Sequence, residues 1–199
     1  HPRLRYHSGQ FAFLRFLVPG MQNEEHPFSF TSTPDDDTVG FAIRELGGFT
    51  RKILDLKPGA RVKVNAGFGS FSPIHRGRKG RPLALIGSGI GTAPLISILK
   101  DLGRREPDRE VVYLQAYTNR DELLEPETVA ALQKTMPNLT VKTFIYSEDQ
   151  KRYGEVLFRE ELPDPQKYDV FLCSSPRVRA VVLPALKALG IRSEHIVYE

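Results

Sequence analysis

The chain has 199 residues, 40% hydrophobic and 26% charged, and its 28 lysines and arginines against 24 aspartates and glutamates give a formal net charge of +4. This composition is sufficient for packed cores and excludes a disordered acidic or basic chain. The single cysteine, Cys173, excludes a disulfide framework, a cysteine-rich zinc site and a cysteine-ligated iron–sulfur cluster, so no metal site is predicted.

Up to about Pro73, the sequence consists of short extended runs separated by turn residues. The predicted strands are Gln10–Val18, Phe28–Ser32, Val39–Leu46 and Ala60–Ala66. Runs rich in Phe, Val and Ile at this spacing predict a small antiparallel β-barrel. A short helix is predicted over Thr50–Asp55, after a Gly47-Gly48 pair.

A basic stretch, residues 74–82, follows these strands. It contains four arginines and lysines besides His75 and nothing large to bury, which predicts a linker or a hairpin tip. We place a domain boundary near residue 80, with one domain over residues 1–80 and a second over residues 81–199.

From Pro82 onward, predicted strands alternate with predicted helices. The strands are Leu83–Ile86, Val111–Tyr117, Thr140–Tyr146, Val170–Cys173 and His195–Tyr198, and the helices are Pro94–Leu102, Glu122–Lys134, Leu157–Leu162 and Arg177–Leu189. This alternation predicts a parallel sheet with helices on both faces. Such sheets bind ligands outside the carboxyl ends of their strands.

A glycine-rich turn, Gly87-Ser88-Gly89-Ile90-Gly91, joins the first of these strands to its helix. Its small residues would let backbone amides approach a phosphate at the helix N-terminus. A tight strand-to-helix turn without a ligand explains the same glycines. The spacing is not G-x-G-x-x-G, so the turn alone does not indicate a Rossmann dinucleotide site.

The next strand ends on Tyr117-Thr118-Asn119-Arg120. An acid near this place holds the ribose hydroxyls of NAD, whereas an arginine accommodates the 2′-phosphate of NADP. Arg120 therefore favours NADPH, and the alternative is a surface arginine paired with a neighbouring acid.

Two segments of the first half are suited to a second nucleotide. His26-Pro27-Phe28-Ser29 combines an imidazole, a flat ring and a hydroxyl in one strand, although a barrel strand with an ordinary polar face would look the same. Gly47-Gly48-Phe49-Thr50 supplies an amide-rich helix start. Two phosphate-binding turns in two domains suggest that two nucleotides meet between them.

Five motifs in this order resemble the ferredoxin-NADP reductase superfamily over residues 9–199. The motifs are H-P-F-S at 26–29, G-G-F-T at 47–50, G-F-G-S-F at 67–71, G-S-G-I-G-T-A-P at 87–94 and F-L-C-S-S-P at 171–176. The H-P-F-[ST] form is more similar to the dehydrogenase domain of NADPH oxidases and membrane ferric reductases than to soluble ferredoxin reductases.

The resemblance implies FAD in the barrel, NADPH on the parallel-sheet domain, with NADH possible, and hydride transfer from nicotinamide C4 to flavin N5. It also implies that the barrel lacks its first strand, because Gly9-Gln10-Phe11 resembles a segment that follows an earlier strand pair. The reacting atoms would lie beside Ser29 and Cys173. The remaining implied cofactor-binding residues are His26, Pro27, Phe28, Gly47, Gly48, Phe49 and Thr50 for FAD, and Gly87, Gly89, Ile90, Gly91 and Arg120 for NADPH. This step needs no general acid or base, because the two rings carry the electronics.

The same resemblance implies a partner and a location. Electrons would pass to a haem-bearing membrane domain encoded N-terminally, and from there to O2 or ferric iron, with the chain as a soluble part on the cytoplasmic side. The sequence opens on His1-Pro2-Arg3, without a signal peptide or initiator methionine, and we expect a piece of a longer protein. A soluble flavodoxin or ferredoxin reductase and a regulatory nucleotide-binding module remain alternatives. Nucleic-acid binding is not predicted, because the sequence has no basic stripe with interleaved aromatic residues.

Where NADPH-dependent relatives carry G-R after the third strand of the parallel sheet, this chain has Gly154-Glu155. The glutamate would oppose a 2′-phosphate. Lys151 or Arg152 is positioned in sequence to substitute for the missing arginine.

Overall fold

The computed structural model describes residues 4–21 and 23–199, so the predicted opening at His1 to Arg3 lies outside the described residues. Two sheets organise the chain. The first is antiparallel, with the order β2-β1-β3, and consists of β1 (Phe11–Phe16), β2 (His26–Ser29) and β3 (Val62–Phe68). Together with α1 (Gly48–Leu54), it forms the first lobe.

The first-lobe core follows from the alternation along β1. Ala12, Leu14 and Phe16 point inward and are buried, whereas the residues between them are half-exposed. The buried Phe30 stacks on Tyr6 with ring centroids 3.8 Å apart. The antiparallel sheet at this place agrees with the predicted fold class.

The predicted strand Val39–Leu46 is wrong, because the segment makes only a single bridge, Phe30 to Phe41, to its neighbours. The hydroxyl of Ser32 accepts the Gly40 amide at 2.9 Å. The Ser32 side chain thus binds a backbone amide that would otherwise donate to a neighbouring strand in a longer β-ladder. The rest of the segment is irregular.

The second lobe is built on a five-stranded parallel sheet of the order β6-β5-β4-β7-β8. Its strands are β4 (Leu83–Ser88), β5 (Val111–Tyr117), β6 (Leu139–Ile145), β7 (Asp169–Cys173) and β8 (Ile196–Tyr198). The helices are α2 (Pro73–Arg76), α3 (Thr92–Arg105), α4 (Pro126–Thr135), α5 (Tyr146–Asp149), α6 (Glu155–Glu161) and α7 (Pro176–Ala188). The predicted alternation of strands and helices is confirmed.

The central strands β4, β5 and β7 are buried almost throughout, as expected for parallel strands covered on both faces. One core lies on each face of this sheet, around Phe158 and Leu186 on one side and Leu95 and Leu99 on the other. Within the described residues, no helix is long and apolar enough to cross a membrane.

The helix α3 fastens the second lobe to the first. Ser97 donates a hydrogen bond to the carbonyl of Ser32 at 2.6 Å, in a buried position. One turn later, Lys100 donates to the carbonyl of Thr31 at 2.9 Å. The carboxyl ends of the parallel strands are therefore held facing the first lobe.

An ion pair at the end of α3 extends this contact, and we expect it to make stability depend on pH. Arg104 lies 2.5 Å from the Asp36 carboxylate. Partial burial, the largest influence, raises the pKa of Asp36, but hydrogen bonds from the Thr33 amide and from Arg104 outweigh it and hold that pKa below the ordinary 3.8. Stability from the pair is then present above pH 3.8 and lost as the pH falls through the lowered pKa.

Asp36→Asn should therefore flatten the acid limb of the stability curve. Urea midpoints at pH 5 and pH 3 test this, since the parent should lose more stability between them than the variant. Asp37→Asn, at a neighbouring exposed carboxylate with no partner within residues 4–21 and 23–199, is the matched control and should behave as the parent. Equal acid losses in all three proteins would contradict the expectation.

Candidate functional site

A cleft of about 890 Å³ lies between the two lobes, at the carboxyl ends of β4, β5 and β7. We call it the interlobe cleft. Its walls include segments predicted from sequence in both halves of the chain. The predicted site residues that line it are Pro27, Phe28, Ser29, Thr50, Gly89, Ile90, Gly91 and Cys173.

On the first-lobe wall, β2 presents Pro27 and Ser29, which alternation places on the sheet face opposite the core. Phe28 also lines the interlobe cleft, and it packs in part against the first-lobe core. His26 is turned elsewhere: its ring lies 3.7 Å from that of Phe49, and its Nε2 is 2.9 Å from the carboxylate of Glu24.

The start of α1 forms the next part of this wall. The hydroxyl of Thr50 accepts the amides of Leu46 and Gly47 at 2.8 and 3.1 Å, which fixes the turn. A Cβ added to Gly47 or Gly48 would meet nothing within 4 Å. Packing therefore does not require these glycines, and their backbone stays open to a ligand.

On the second-lobe wall, the glycine-rich turn has packing reasons for some of its glycines. A Cβ on Gly91 would clash with the backbone carbonyl of Cys173, and one on Gly87 would come within 3 Å of Leu95 and Thr92. Gly89 has φ +53°, in the left-handed region. Gly89 and Gly91 line the interlobe cleft, whereas Gly87 lies behind the wall.

Buried hydroxyls support this turn from below. Thr92 donates to the carbonyl of Gly89 at 2.8 Å and accepts the hydroxyl of Tyr117 at 2.9 Å. Tyr153 donates to the carbonyl of Gly87 at 2.7 Å. Each polar group is satisfied internally, so the turn is held in one shape.

Cys173 ends β7 at the bottom of the interlobe cleft, next to the terminal residue Glu199. Burial, and secondarily the Glu199 carboxylate, raise the pKa of the Cys173 thiol from 9.0 to about 12. Burial also raises the pKa of Glu199. At neutral pH, Cys173 is therefore an uncharged thiol and a poor nucleophile.

We expect Cys173 to resist alkylation by iodoacetamide in the folded chain. At pH 8, a shift of the thiol pKa from 9.0 to about 12 lowers the thiolate fraction by about a thousandfold. Mass spectrometry of the modified protein should show slow reaction in buffer and fast reaction in 6 M urea, which serves as the control. Equal rates in the two conditions would contradict the raised pKa.

Cations concentrate on the walls of the interlobe cleft. They are Arg44 from the first lobe and Lys151, Arg152 and Arg177 from the second. Arg44 is exposed and makes no ion pair or hydrogen bond to the described residues, and its guanidinium stands 3.5 Å from the Cβ position of Gly89. Arg152 lies over the ring of Tyr146, 4.3 Å from its centroid.

Arg120 lies off the cleft wall. Its guanidinium forms a bidentate pair with Glu148, at 2.8 and 2.5 Å, and both side chains are exposed. The pair raises the pKa of Arg120 and lowers that of Glu148. The sequence offered an acid next to Arg120 in the chain, Asp121 or Glu122, as the alternative to a phosphate contact, and the structure places the more distant Glu148 there instead.

These walls fit two dinucleotides. Residues of both lobes line the interlobe cleft, the open backbone of Gly47 and Gly48 lies between its lining residues Leu46 and Thr50 in the chain, and its four cations outnumber its acids, Glu122 and Glu199. Such donors suit diphosphates. The sequence analysis missed Arg44 and Glu199 as cleft residues. For Arg44, the available signal was its position just ahead of the Gly47-Gly48 turn.

Known proteins agree with this fit. Residues 1–63 match the FAD-binding domain family, and residues 85–178 match the oxidoreductase NAD-binding domain family. The flavohemoprotein of Bacillus subtilis (strain 168) is 26% identical over 100% of this chain and 52% of its own length. Respiratory burst oxidase homolog protein A of Solanum tuberosum is 35% identical, over 51% of this chain and 13% of its own length. The chain thus spans about half the flavohemoprotein.

Among solved structures, the cytochrome P450 reductase GcoB of Amycolatopsis superimposes with a TM-score of 0.84 at 25% identity, covering 99% of this chain and 61% of that one. The fold and the site together define a flavoprotein oxidoreductase module that binds FAD and NAD(P)H. The chain belongs to the ferredoxin-NADP reductase-like superfamily.

Proposed function

We propose that this chain transfers a hydride from NADPH to FAD and passes the electrons to a haem-bearing domain. The observation that carries the proposal is the interlobe cleft, which Ser29 of the first lobe and Cys173 of the second both line. FAD, when bound, supplies a ring that accepts a hydride and releases electrons singly. The chain itself binds, orients and shields the reacting rings.

Predicted site residues of both lobes have roles in this proposal, with Gly47 as part of the turn that precedes α1. Phe28 packs beside the flavin ring, and the Ser29 hydroxyl lies within reach of its reacting nitrogen. The amides of Gly48, Phe49 and Thr50 hold the FAD phosphates, with His26 and Pro27 bordering them. Gly89, Ile90 and Gly91 border the NADPH diphosphate, with Gly87 supporting their turn, and the neutral thiol of Cys173 packs at the nicotinamide edge without proton transfer.

The direct test uses the chain reconstituted with FAD and mixed anaerobically with NADPH. Stopped-flow bleaching of flavin absorbance is expected, and Ser29→Ala should slow it while leaving NADPH affinity unchanged. A reconstituted chain that binds NADPH without bleaching would overturn the proposal in favour of a regulatory nucleotide-binding module.

We further propose that NADPH is preferred over NADH, with Arg120 as the 2′-phosphate contact and Arg152 as its alternative. Arg120 must leave Glu148 to take this role, whereas Arg152 is already on the cleft wall beside Lys151. Charge-assisted hydrogen bonds contribute roughly 1.5–3 kcal/mol, or about 10- to 150-fold.

Steady-state kcat/KM for both nucleotides in Arg120→Ala and Arg152→Ala tests the assignment. The variant in which the NADPH advantage falls about tenfold or more identifies the contact. Arg159→Ala, on the exposed face of α6, is the control and should keep the parent's ratio. Unchanged ratios in both test variants would refute both assignments.

The acceptor is proposed from the relatives. The name of the flavohemoprotein indicates a haem group, and its alignment takes in the whole chain. The partial match to a respiratory burst oxidase supports a membrane haem domain, with the chain on the cytoplasmic side and O2 or ferric iron as the final acceptor. GcoB supports the alternative, a reductase for a separate electron-accepting protein. Sequencing the gene upstream of residue 1 separates these two acceptors. Membrane helices that carry histidines are expected there for a membrane haem domain and not for a reductase of a separate electron-accepting protein.

A further inference from the structure

Two side chains of α3 hold the lobes together beside the interlobe cleft. Among the described residues, the chain passes once from the first sheet to the second, between β3 and β4, so the position of one lobe against the other depends on noncovalent contacts. The Ser97 hydroxyl donates to the Ser32 carbonyl at 2.6 Å, and the Lys100 ammonium donates to the Thr31 carbonyl at 2.9 Å. We call Ser97 and Lys100 the interlobe donors.

The second lobe holds the interlobe donors in place. Three residues apart on α3, they lie on the same face of the helix. Leu95 and Leu99 of the same helix are fully buried in the core of the second lobe. Ser97 itself is fully buried, and the Lys100 ammonium also lies 2.6 Å from the carboxylate of Glu125. The donors therefore move only with the second lobe.

The segment that receives these bonds is held by the rest of the first lobe. The Thr31 amide donates to the Gly40 carbonyl at 2.9 Å, and the Ser32 hydroxyl accepts the Gly40 amide at 2.9 Å. The hydroxyl of Tyr6 lies 2.8 Å from that of Ser32 and donates to the Thr33 carbonyl at 2.6 Å. Since each side is anchored in its own lobe, the bonds between them fix one lobe against the other.

Both sides of this contact are close in the chain to the walls of the interlobe cleft. Thr31 comes two residues after Ser29, the cleft residue that ends β2. Ser97 comes six residues after Gly91 of the glycine-rich turn, or about 9 Å along a helix that rises about 1.5 Å per residue. A change at the interlobe donors would therefore move the two walls relative to each other.

We propose that the interlobe donors are positioning residues, which set the separation of the Ser29 wall from the glycine-rich turn for hydride transfer. This inference rests on the proposed function. Hydride transfer requires reacting atoms about 3–3.5 Å apart, and a misplacement of about 1 Å costs roughly a hundredfold in rate. Ser97 is the stronger of the two, because its loss leaves a buried carbonyl without its donor.

The first test measures the lobes without any nucleotide. Spin labels at Lys57→Cys in the first lobe and Lys134→Cys in the second, both exposed positions, report the distance between lobes by double electron–electron resonance. The neutral thiol of Cys173 is expected to stay unlabelled. In Ser97→Ala/Lys100→Met the distance should shift or spread by about 1 Å or more, the displacement at which catalysis suffers.

Both single variants are labelled as well, so that the result does not depend on the folding of the double variant. The matched control is Lys187→Met, the same chemical change at an exposed position of α7. It should keep the parent's distance distribution. An equal change in the control would show that the interlobe donors have no special part in holding the lobes, and would overturn the proposal.

The second test is stopped-flow bleaching of the FAD-reconstituted chain at saturating NADPH. Ser97→Ala should slow bleaching by about 10- to 100-fold, whereas the Kd values for FAD and NADPH should stay at those of the parent. Lys100→Met keeps the aliphatic stem without the donor and should also slow it, and Lys100→Arg restores a donor and should recover the rate. A merely structural role would lower the Tm without this separation of rate from affinity.

The outcomes separate this inference from the function on which it rests. A parent chain that holds FAD and NADPH without bleaching overturns the proposed function, and the positioning role with it. If the parent bleaches, an unchanged spin-label distance or an unchanged bleaching rate in the folded variants overturns the positioning role alone.

Discussion

Replacing Gly91 by alanine should reduce kcat/KM for NADPH by about 10- to 100-fold while leaving FAD binding largely intact. The added Cβ would clash with the backbone carbonyl of Cys173, and a backbone atom cannot rotate away as a side chain can. Overpacking of this kind costs roughly 1–3 kcal/mol. The glycine-rich turn or the end of β7 must then move, and both line the interlobe cleft on the NADPH side.

The measurement compares Gly91→Ala with Gly154→Ala, which adds the same methyl group where nothing lies within 4 Å. Steady-state kinetics should separate the two variants, and flavin occupancy should be similar in both. A Gly91→Ala protein with the parent's Tm and kinetics would show that the turn tolerates the shift, against the expectation.

Replacing Arg44 by alanine should raise the KM for NADPH, or the Kd for FAD, by about 10- to 100-fold. Its guanidinium has no ion-pair or hydrogen-bond partner among the described residues and stands beside Gly89, which is proposed to border the NADPH diphosphate. An unpaired, pre-positioned guanidinium gains roughly 1.5–3 kcal/mol on binding phosphate.

Separate titrations of FAD and of NADPH will show which nucleotide Arg44 contacts. Arg61→Ala is the control, since the side chain of this exposed first-lobe arginine also has no partner in the part of the chain that the structure describes but lies off the cleft wall. The assignment is wrong if Arg44→Ala and Arg61→Ala leave both affinities equally unchanged. A lowered Tm in Arg44→Ala alone would instead indicate a structural role.

The difference between Arg44 and Arg120 shows where sequence reasoning was limited. Both follow extended segments and precede turns, and only Arg120 matched a known position for a 2′-phosphate contact. Folding brings Glu148, 28 residues away, against Arg120, and it brings Arg44 to the opposite lobe's glycine turn. Neither neighbour can be read from local sequence, because each depends on how the lobes and strands pack.

The sequence by itself determined the class of this protein. The apolar run of β4, its glycine turn and the repeated strand–helix alternation dictate a parallel sheet, since buried parallel strands need continuous apolar residues and a crossover of a dozen or more residues, usually a helix, between them. The motif order, from His26 to Cys173, indicated two nucleotides, and the FAD-binding and NAD-binding family matches agree with it.

Only the tertiary structure decided which side chains face the ligands and which face the protein. Gly87 lies behind the cleft wall and supports the turn. Cys173 is neutral because burial raises its pKa. The segment predicted as strand Val39–Leu46 makes one bridge because the Ser32 hydroxyl accepts its Gly40 amide. The backbone ahead of β4 is anchored because the carboxylate of Asp169, 91 residues away, accepts the Arg78 amide. Such effects come from contacts between distant segments, and local propensity does not encode them.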